Sequence, residues 1–252
     1  MKILLSPAKN IDTAKSFNVK DYSIPVFQDE AEGLVKKLSK FSVKKVADMM
    51  HLSTELAELN VRRYSDWKPV ASNNEGAVYA GAVFNGEVYR GLDAINFSIA
   101  TLDRAQKDLR ILSGLYGILK PLDLIYPYRL EMGTKWAVTP AKKNLYAFWG
   151  DKIASELNAE ESELVINLAS TEYFKAVPHK KLKARVITPV FKEYKNGKYQ
   201  VVMVYAKQAR GMMAKYILSN GLTEAEEIKA FDLEGYRFDA NLSTEDEWMF
   251  TR

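Results

Sequence analysis

Asn196-Gly197 sits between two runs of β-forming residues, Val186, Ile187, Val190 and Phe191 before it and Val201, Val202 and Val204 after it. A tight two-residue hairpin turn needs positive φ at its centre, which Asn and Gly tolerate, so the pattern predicts an antiparallel hairpin over 185–206. A helix is then expected from about Ala209 to Ser219, stopped at Asn220-Gly221, because glycine takes the left-handed conformation that ends helices.

The same reasoning runs along the rest of the chain. Ile3 to Leu5 reads as a short buried strand ended by Pro7, with a polar loop to about Pro25. Residues 29–64 are expected to be helical, because Leu34, Val35, Leu38 and Phe41, then Val43, Val46, Ala47 and Met50, then Leu56, Leu59 and Val61 recur at helical spacing. Breaks between these groups predict two or three short helices, with Ser42 and Ser53 as N-caps. Residues 76–92 carry β-formers (Val78, Tyr79, Val83, Phe84, Val88, Tyr89) interrupted by Gly81 and Gly86, and a helix follows near 98–109. Leu112 to Gly117 reads as a strand leading to the Pro121 turn, 127–138 as extended, 145–157 as helix and 164–168 as a buried strand. Thr223-x-x-Glu226 has the form of a capping box that opens a further helix. No repeat, low-complexity tract or linker divides the chain. The expected architecture is α+β: one mixed domain over 1–252, with a central sheet region and a helical N-terminal segment.

Charge narrows the partners. The chain carries a net +4, but residues 168–220 hold eleven Lys and Arg against two acids, a local +9 that leaves −5 for the remainder. Such polarity points to phosphate-bearing partners. The absence of cysteine excludes disulfides, iron–sulfur clusters, cysteine zinc sites and thiol nucleophiles. His51 and His179 are isolated, and Asp48-x-x-His51 reads as a coincidence of helix spacing. No cofactor or metal is expected. No apolar run approaches the roughly 18 residues that span a bilayer, and the apolar start at Ile3 to Leu5 is too short for a secretory signal, so a cytoplasmic protein without membrane partners is expected.

Six blocks carry a resemblance: Ser6-Pro7-Ala8-Lys9, Leu112 to Asp123 (LSGLYGILKPLD), Pro127 to Gly133 (PYRLEMG), Phe148-Trp149-Gly150-Asp151, Ile166 to Val177 (INLASTEYFKAV) and Lys207 to Met212 (KQARGM). In this order, over nearly the whole chain, they resemble the YaaA family. The resemblance implies a bacterial peroxide-stress protein associated with low unincorporated iron. It also implies binding of duplex nucleic acid through a basic cleft and a helix-hairpin-helix element.

The residues themselves support an anion site with alternatives open. Lys9 follows a buried strand, where open sheets present loops to ligands, and it could equally pair with a carboxylate such as Glu131. Arg129 and Glu131 share one side of an extended segment, forming either a structural ion pair or an anion-binding or catalytic pair. Lys175, Lys207 and Arg210 lie inside the shared blocks, the last two beside Ala206, Ala209 and Gly211, small enough to let a backbone phosphate approach. Lys192, Lys195 and Lys198 read as a solvated hairpin face. Lys36, Lys37, Lys40, Lys44 and Lys45 surround the turn expected of a helix-hairpin-helix, although the usual turn glycine is missing.

Three functions are weighed. In the first, the chain binds double-stranded DNA without sequence preference through these lysines and arginines, with RNA not distinguished. In the second, an enzyme acts on a phosphorylated or nucleotide-like small molecule, with Glu131 as general base. In the third and least favoured, iron is bound directly, because Glu-x-x-His is absent and the acid-rich 221–252 segment has no repeated ligand spacing. The expected site is a buried strand over 167–177 that delivers Lys175 to Lys9, Arg129, Lys207 and Arg210.

Overall fold

The computed structural model describes residues 1–71 and 75–252. β1 (Lys2–Leu5) is completely buried, as an apolar run covered on both sheet faces should be. After β2 (Asn10–Ile11) and a polar loop come α1 (Gln28–Leu38), α2 (Val43–Met50) and α3 (Thr54–Asp66). The expected caps form: Ser42 Oγ accepts from the Lys45 amide at 3.2 Å, and Ser53 Oγ from the Leu56 amide at 3.3 Å. The buried face of α3 is rotated from the expected one. Ala57, Asn60 and Tyr64 point inward while Leu56 is exposed, because the Tyr64 hydroxyl is drawn to the Arg129 carbonyl.

Residues 76–92 depart most from expectation. Only β3 (Val78–Tyr79) and β4 (Phe84–Asn85) are strand, and α4 (Ala80–Val83) and α5 (Glu87–Leu92) are helical. Packing overrides β-propensity here. Gly81 sits so close to Pro121 that a Cβ would lie 2.9 Å from the proline Cβ, and a Cβ on Gly91 would lie 2.1 Å from the Gln208 carbonyl oxygen.

α6 (Ile99–Asp108) leads directly into the buried β5 (Leu109–Ser113). The strand expected at 112–117 is split: the chain turns after Ser113 and returns as β6 (Gly117–Leu119), followed by β7 (Leu124–Ile125). Residues 127–138 contain no regular strand. The helix expected at 145–157 is divided into α7 (Leu145–Trp149) and α8 (Lys152–Ala159) by Gly150 at φ +51.

β8 (Leu164–Asn167) ends earlier than expected, and α9 (Thr171–Phe174) follows. β9 (Arg185–Lys195) and β10 (Lys198–Gln200) form the hairpin about Asn196 (φ 53) and Gly197 (φ 76). Its second strand is short, because α10 (Met203–Asn220) begins before the expected Ala209 and absorbs Val204. α10 ends at Gly221 (φ 63), as expected. The later capping box is shifted by one residue, joining Glu224 to Glu227 rather than Thr223 to Glu226, and it opens a 3-10 helix over Ala225–Ala230. β11 (Arg237–Asp239) and β12 (Glu247–Thr251) complete the described strands.

The result is α+β. Eight strands form one mixed sheet in the order β11-β12-β9-β8-β1-β5-β6, with β10 attached to β9. β1 lies between β5 and β8 and is parallel to both, with Ile3 opposite Leu109 on one side and Ile166 on the other. The chain thus leaves β1 for a strand on one flank and comes back to the other flank. A crevice is expected where the connections diverge, beyond the carboxyl ends of β1 and β8.

Candidate anion-binding site

Beyond Leu5 the chain is clamped rather than free. Ser6 Oγ accepts from the Ser170 amide at 2.8 Å and lies 3.2 Å from Ser170 Oγ, so the carboxyl ends of β1 and β8 are tied together. The Tyr89 hydroxyl on α5 donates to the Ser6 carbonyl at 3.0 Å. Over this clamp opens a cavity of about 680 Å³, lined by Lys9, Glu131, Lys207 and Arg210 together with Tyr89, Tyr173, Val201 and Met203.

Two kinds of cation meet there. Lys9 Nζ lies 2.7 Å from Glu131 Oε2, and Arg129 Nη2 lies 3.1 Å from Glu131 Oε1. Glu131 therefore neutralises one exposed lysine and one largely buried arginine, and Arg129 stands behind the cavity wall rather than in it. Arg210 is different. It lines the cavity half-buried, and among the described residues it has no carboxylate or hydrogen-bond partner. Burial lowers the pKa of its guanidinium below the ordinary value, a desolvation penalty that a bound anion would offset by favouring the charged form. Lys207 is exposed one helical turn earlier on the same side of α10.

Lys175 does not join them. Ser170, held by Ser6, starts the α9 turn, so residues 167–177 do not continue as a strand and Lys175 becomes the C-cap of α9. Its ammonium lies 5.1 Å from the centroid of the Tyr146 ring, outside the cavity lining. Lys36, Lys37, Lys40, Lys44 and Lys45 are exposed on α1, α2 and the turn between them, also outside the cavity. Lys36 pairs with Glu32 at 3.0 Å, and Lys45 lies 6.0 Å from the Phe41 centroid.

Sequence reasoning missed the neutral part of the site: the Ser6–Ser170 clamp and the tyrosines Tyr89 and Tyr173. Burial, reinforced by neighbouring phenols, raises both tyrosine pKa values, so they stay protonated. The available signal is Ser170 and Tyr173 within the LASTEYF block, where the neighbouring Lys175 is the more conspicuous residue. Among the described residues no group of three or more His, Asp or Glu side chains could hold a metal ion, and no helix is long and apolar enough to cross a membrane.

A family model described as "Peroxide stress protein YaaA" matches residues 1–242. The chain belongs to the YaaA family. Full-length relatives agree. A UPF0246 protein of Burkholderia multivorans is 48% identical over 260 residues, covering 100% of this chain and 98% of the relative. A UPF0246 protein of Dechloromonas aromatica is 48% identical over 256 residues, and one of Ralstonia pickettii 46% over 258, each covering 100% of this chain and 99% of the relative. In this YaaA-family chain, the blocks Ser6 to Lys9, Ile166 to Val177 and Lys207 to Met212 meet at one cavity, with Pro127 to Gly133 contributing Glu131.

Proposed function

We propose that this YaaA-family protein serves the peroxide stress response by binding duplex DNA without reading its sequence, and that it is associated with limiting free intracellular iron. Lys207 and Arg210 contact backbone phosphates at the cavity mouth. The lysines of α1 and α2, in a helix-hairpin-helix role, form the second contact. The observation that carries this reading is Arg210, a half-buried cation without a counter-ion among the described residues, in a cavity edged by further lysines. A guanidinium in that state is suited to the paired oxygens of a phosphate.

The test is binding of a dye-labelled duplex as salt is varied. If about six phosphates are neutralised, log affinity falls against log salt with a slope near −5. The Lys207→Ala/Arg210→Ala variant should lower both affinity and slope, by about 2 in the slope. A flat salt response would sink the proposal.

One observation favours a second reading. About 680 Å³ falls within the volume of small-molecule sites, and Glu131 faces it between Lys9 and Arg129. An enzyme acting on a phosphorylated or nucleotide-like molecule would use Glu131 as its base. Product formation from such a molecule, lost in Glu131→Gln, would replace the first reading.

A further inference from the structure

The chain has no cysteine, so its eight methionines are the only side chains that offer sulfur to an oxidant. Met49, Met50, Met132, Met213 and Met249 are buried, and Met1 and Met212 are partly so. Among the described residues Met203 is the one methionine that stands out of the fold, 59% exposed. Methionine normally fills irregular gaps in a core, but Met203 takes no part in the core packing. It opens α10 and lines the rim of the cavity with Lys207 and Arg210. The three stand at i, i+4 and i+7, so they share one face of the helix. Long side chains in a helix lean towards its N-terminus, which brings Lys207 over Met203. An oxidisable sulfur thus borders the cations of the site, in a chain whose family is described by peroxide stress.

We propose that Met203 is a reversible oxidation site, and that a hydroperoxide acting there lowers anion binding at the cavity. The inference rests on the reading of Lys207 and Arg210 as phosphate contacts. In the step, a sulfur lone pair attacks one oxygen of hydrogen peroxide. The sulfur–oxygen bond forms as the oxygen–oxygen bond breaks, and sulfur gives two electrons to the peroxide. The departing hydroxide takes the proton of the transferred hydroxyl and leaves as water. An apolar thioether has become a polar sulfoxide. Its oxygen accepts hydrogen bonds and donates none, and the cationic donors on this face are Lys207 and Arg210, the latter without a partner among the described residues. A sulfoxide held by either cation competes with a phosphate for it. Methionine sulfoxide reductases restore the thioether, so the change can be undone.

The experiment treats the full chain with hydrogen peroxide and maps oxygen uptake at each methionine by peptide mass spectrometry. Binding of a dye-labelled duplex is followed by fluorescence anisotropy before and after. Met203 should be oxidised ahead of every other methionine, and the oxidised chain should bind the duplex about fivefold more weakly. Treatment with a methionine sulfoxide reductase should restore the affinity. Met203→Gln, which carries a carbonyl oxygen near the place of the sulfoxide's, should bind as weakly as the oxidised chain. Met203→Leu, compared with itself before and after peroxide, should lose nothing. Far-ultraviolet circular dichroism checks that each chain is folded. The proposal is overturned if another methionine is oxidised first, if Met203 sulfoxide leaves the affinity unchanged, or if the loss persists in Met203→Leu. An untreated chain that does not bind the duplex sinks the duplex reading instead, and the same comparison is then made with inorganic pyrophosphate by calorimetry. A chain that binds neither overturns the proposal as well.

Discussion

Replacing Gly211 by alanine puts a methyl carbon 1.8 Å from the Val88 carbonyl oxygen and 2.6 Å from the Leu92 amide nitrogen. A carbon and a carbonyl oxygen approach no closer than about 3.3 Å, so α5 and α10 must separate by about 1.5 Å. The helices cannot rotate the clash away, because Gly91 makes the reciprocal contact with the Gln208 carbonyl. Alanine in a helix interior otherwise gains about 1 kcal/mol over glycine. Overpacking a tight contact costs about 3 kcal/mol or more, leaving a net loss of about 2 kcal/mol or more. For a chain of this length each kcal/mol moves Tm by about 2–4 °C, so Gly211→Ala should melt about 4–8 °C or more below the native protein when followed by circular dichroism. Gly33→Ala is the internal control. Nothing lies within 4 Å of its added Cβ on α1, and the propensity gain alone should raise Tm by about 2–4 °C. If Gly211→Ala melts at or above the native temperature, the close helix crossing is wrong, and so is the position it gives to Arg210, the neighbouring residue.

Two further outcomes can be measured. Glu160 joins Arg110 at 2.8 Å and Lys2 at 3.0 Å beneath the sheet. Burial pushes its carboxyl pKa up, but the hydrogen bonds and charges of these cations outweigh it and hold the group below its ordinary range. That stability is present above the unfolded carboxylate pKa and disappears as pH falls through the lower folded value. Glu160→Gln should therefore cost about 3 kcal/mol in denaturant unfolding at neutral pH, with the gap to the native chain closing below about pH 4. At the cavity, Glu131→Gln should release Lys9 and Arg129 and tighten duplex binding about two- to fivefold at low salt. Weaker binding would instead make Glu131 the group that positions Lys9 for phosphate.

What the sequence made legible was local chemistry. Asn196-Gly197 set the hairpin because the turn's dihedral angles belong to those two residues, and Ser42 and Ser53 capped helices because a cap needs only its next few neighbours. The misread segments were decided by distant partners. Val83, Val88 and Tyr89 favour strand, but Gly81 packs against Pro121 and Gly91 meets α10 more than a hundred residues later, and such distant contacts outweigh the local preference. Of the cations singled out in the sequence, Lys9, Lys207 and Arg210 line one cavity; Lys9 follows a strand end, but Lys207 and Arg210 lie within α10 rather than at its start. Lys175 was misdirected by the Ser6–Ser170 clamp, which joins residues 164 positions apart. The tyrosines of the cavity were hidden by their chemistry, since a buried neutral phenol and a core aromatic look alike in one dimension.

The central place of β1 bears on how the chain is made. β1 is an interior strand of the sheet, and its neighbour at Leu109 emerges more than a hundred residues later. At about 5–20 residues per second, Ile3 to Leu5 waits several seconds with both edges unpaired. The sheet cannot close until β8 and β9 follow. Refolding should share this burden, because parallel pairing across such separations is slow in itself. The nascent chain is most prone to aggregate in that interval, and production at lower temperature or with a chaperone that shields the first strand should raise the folded yield.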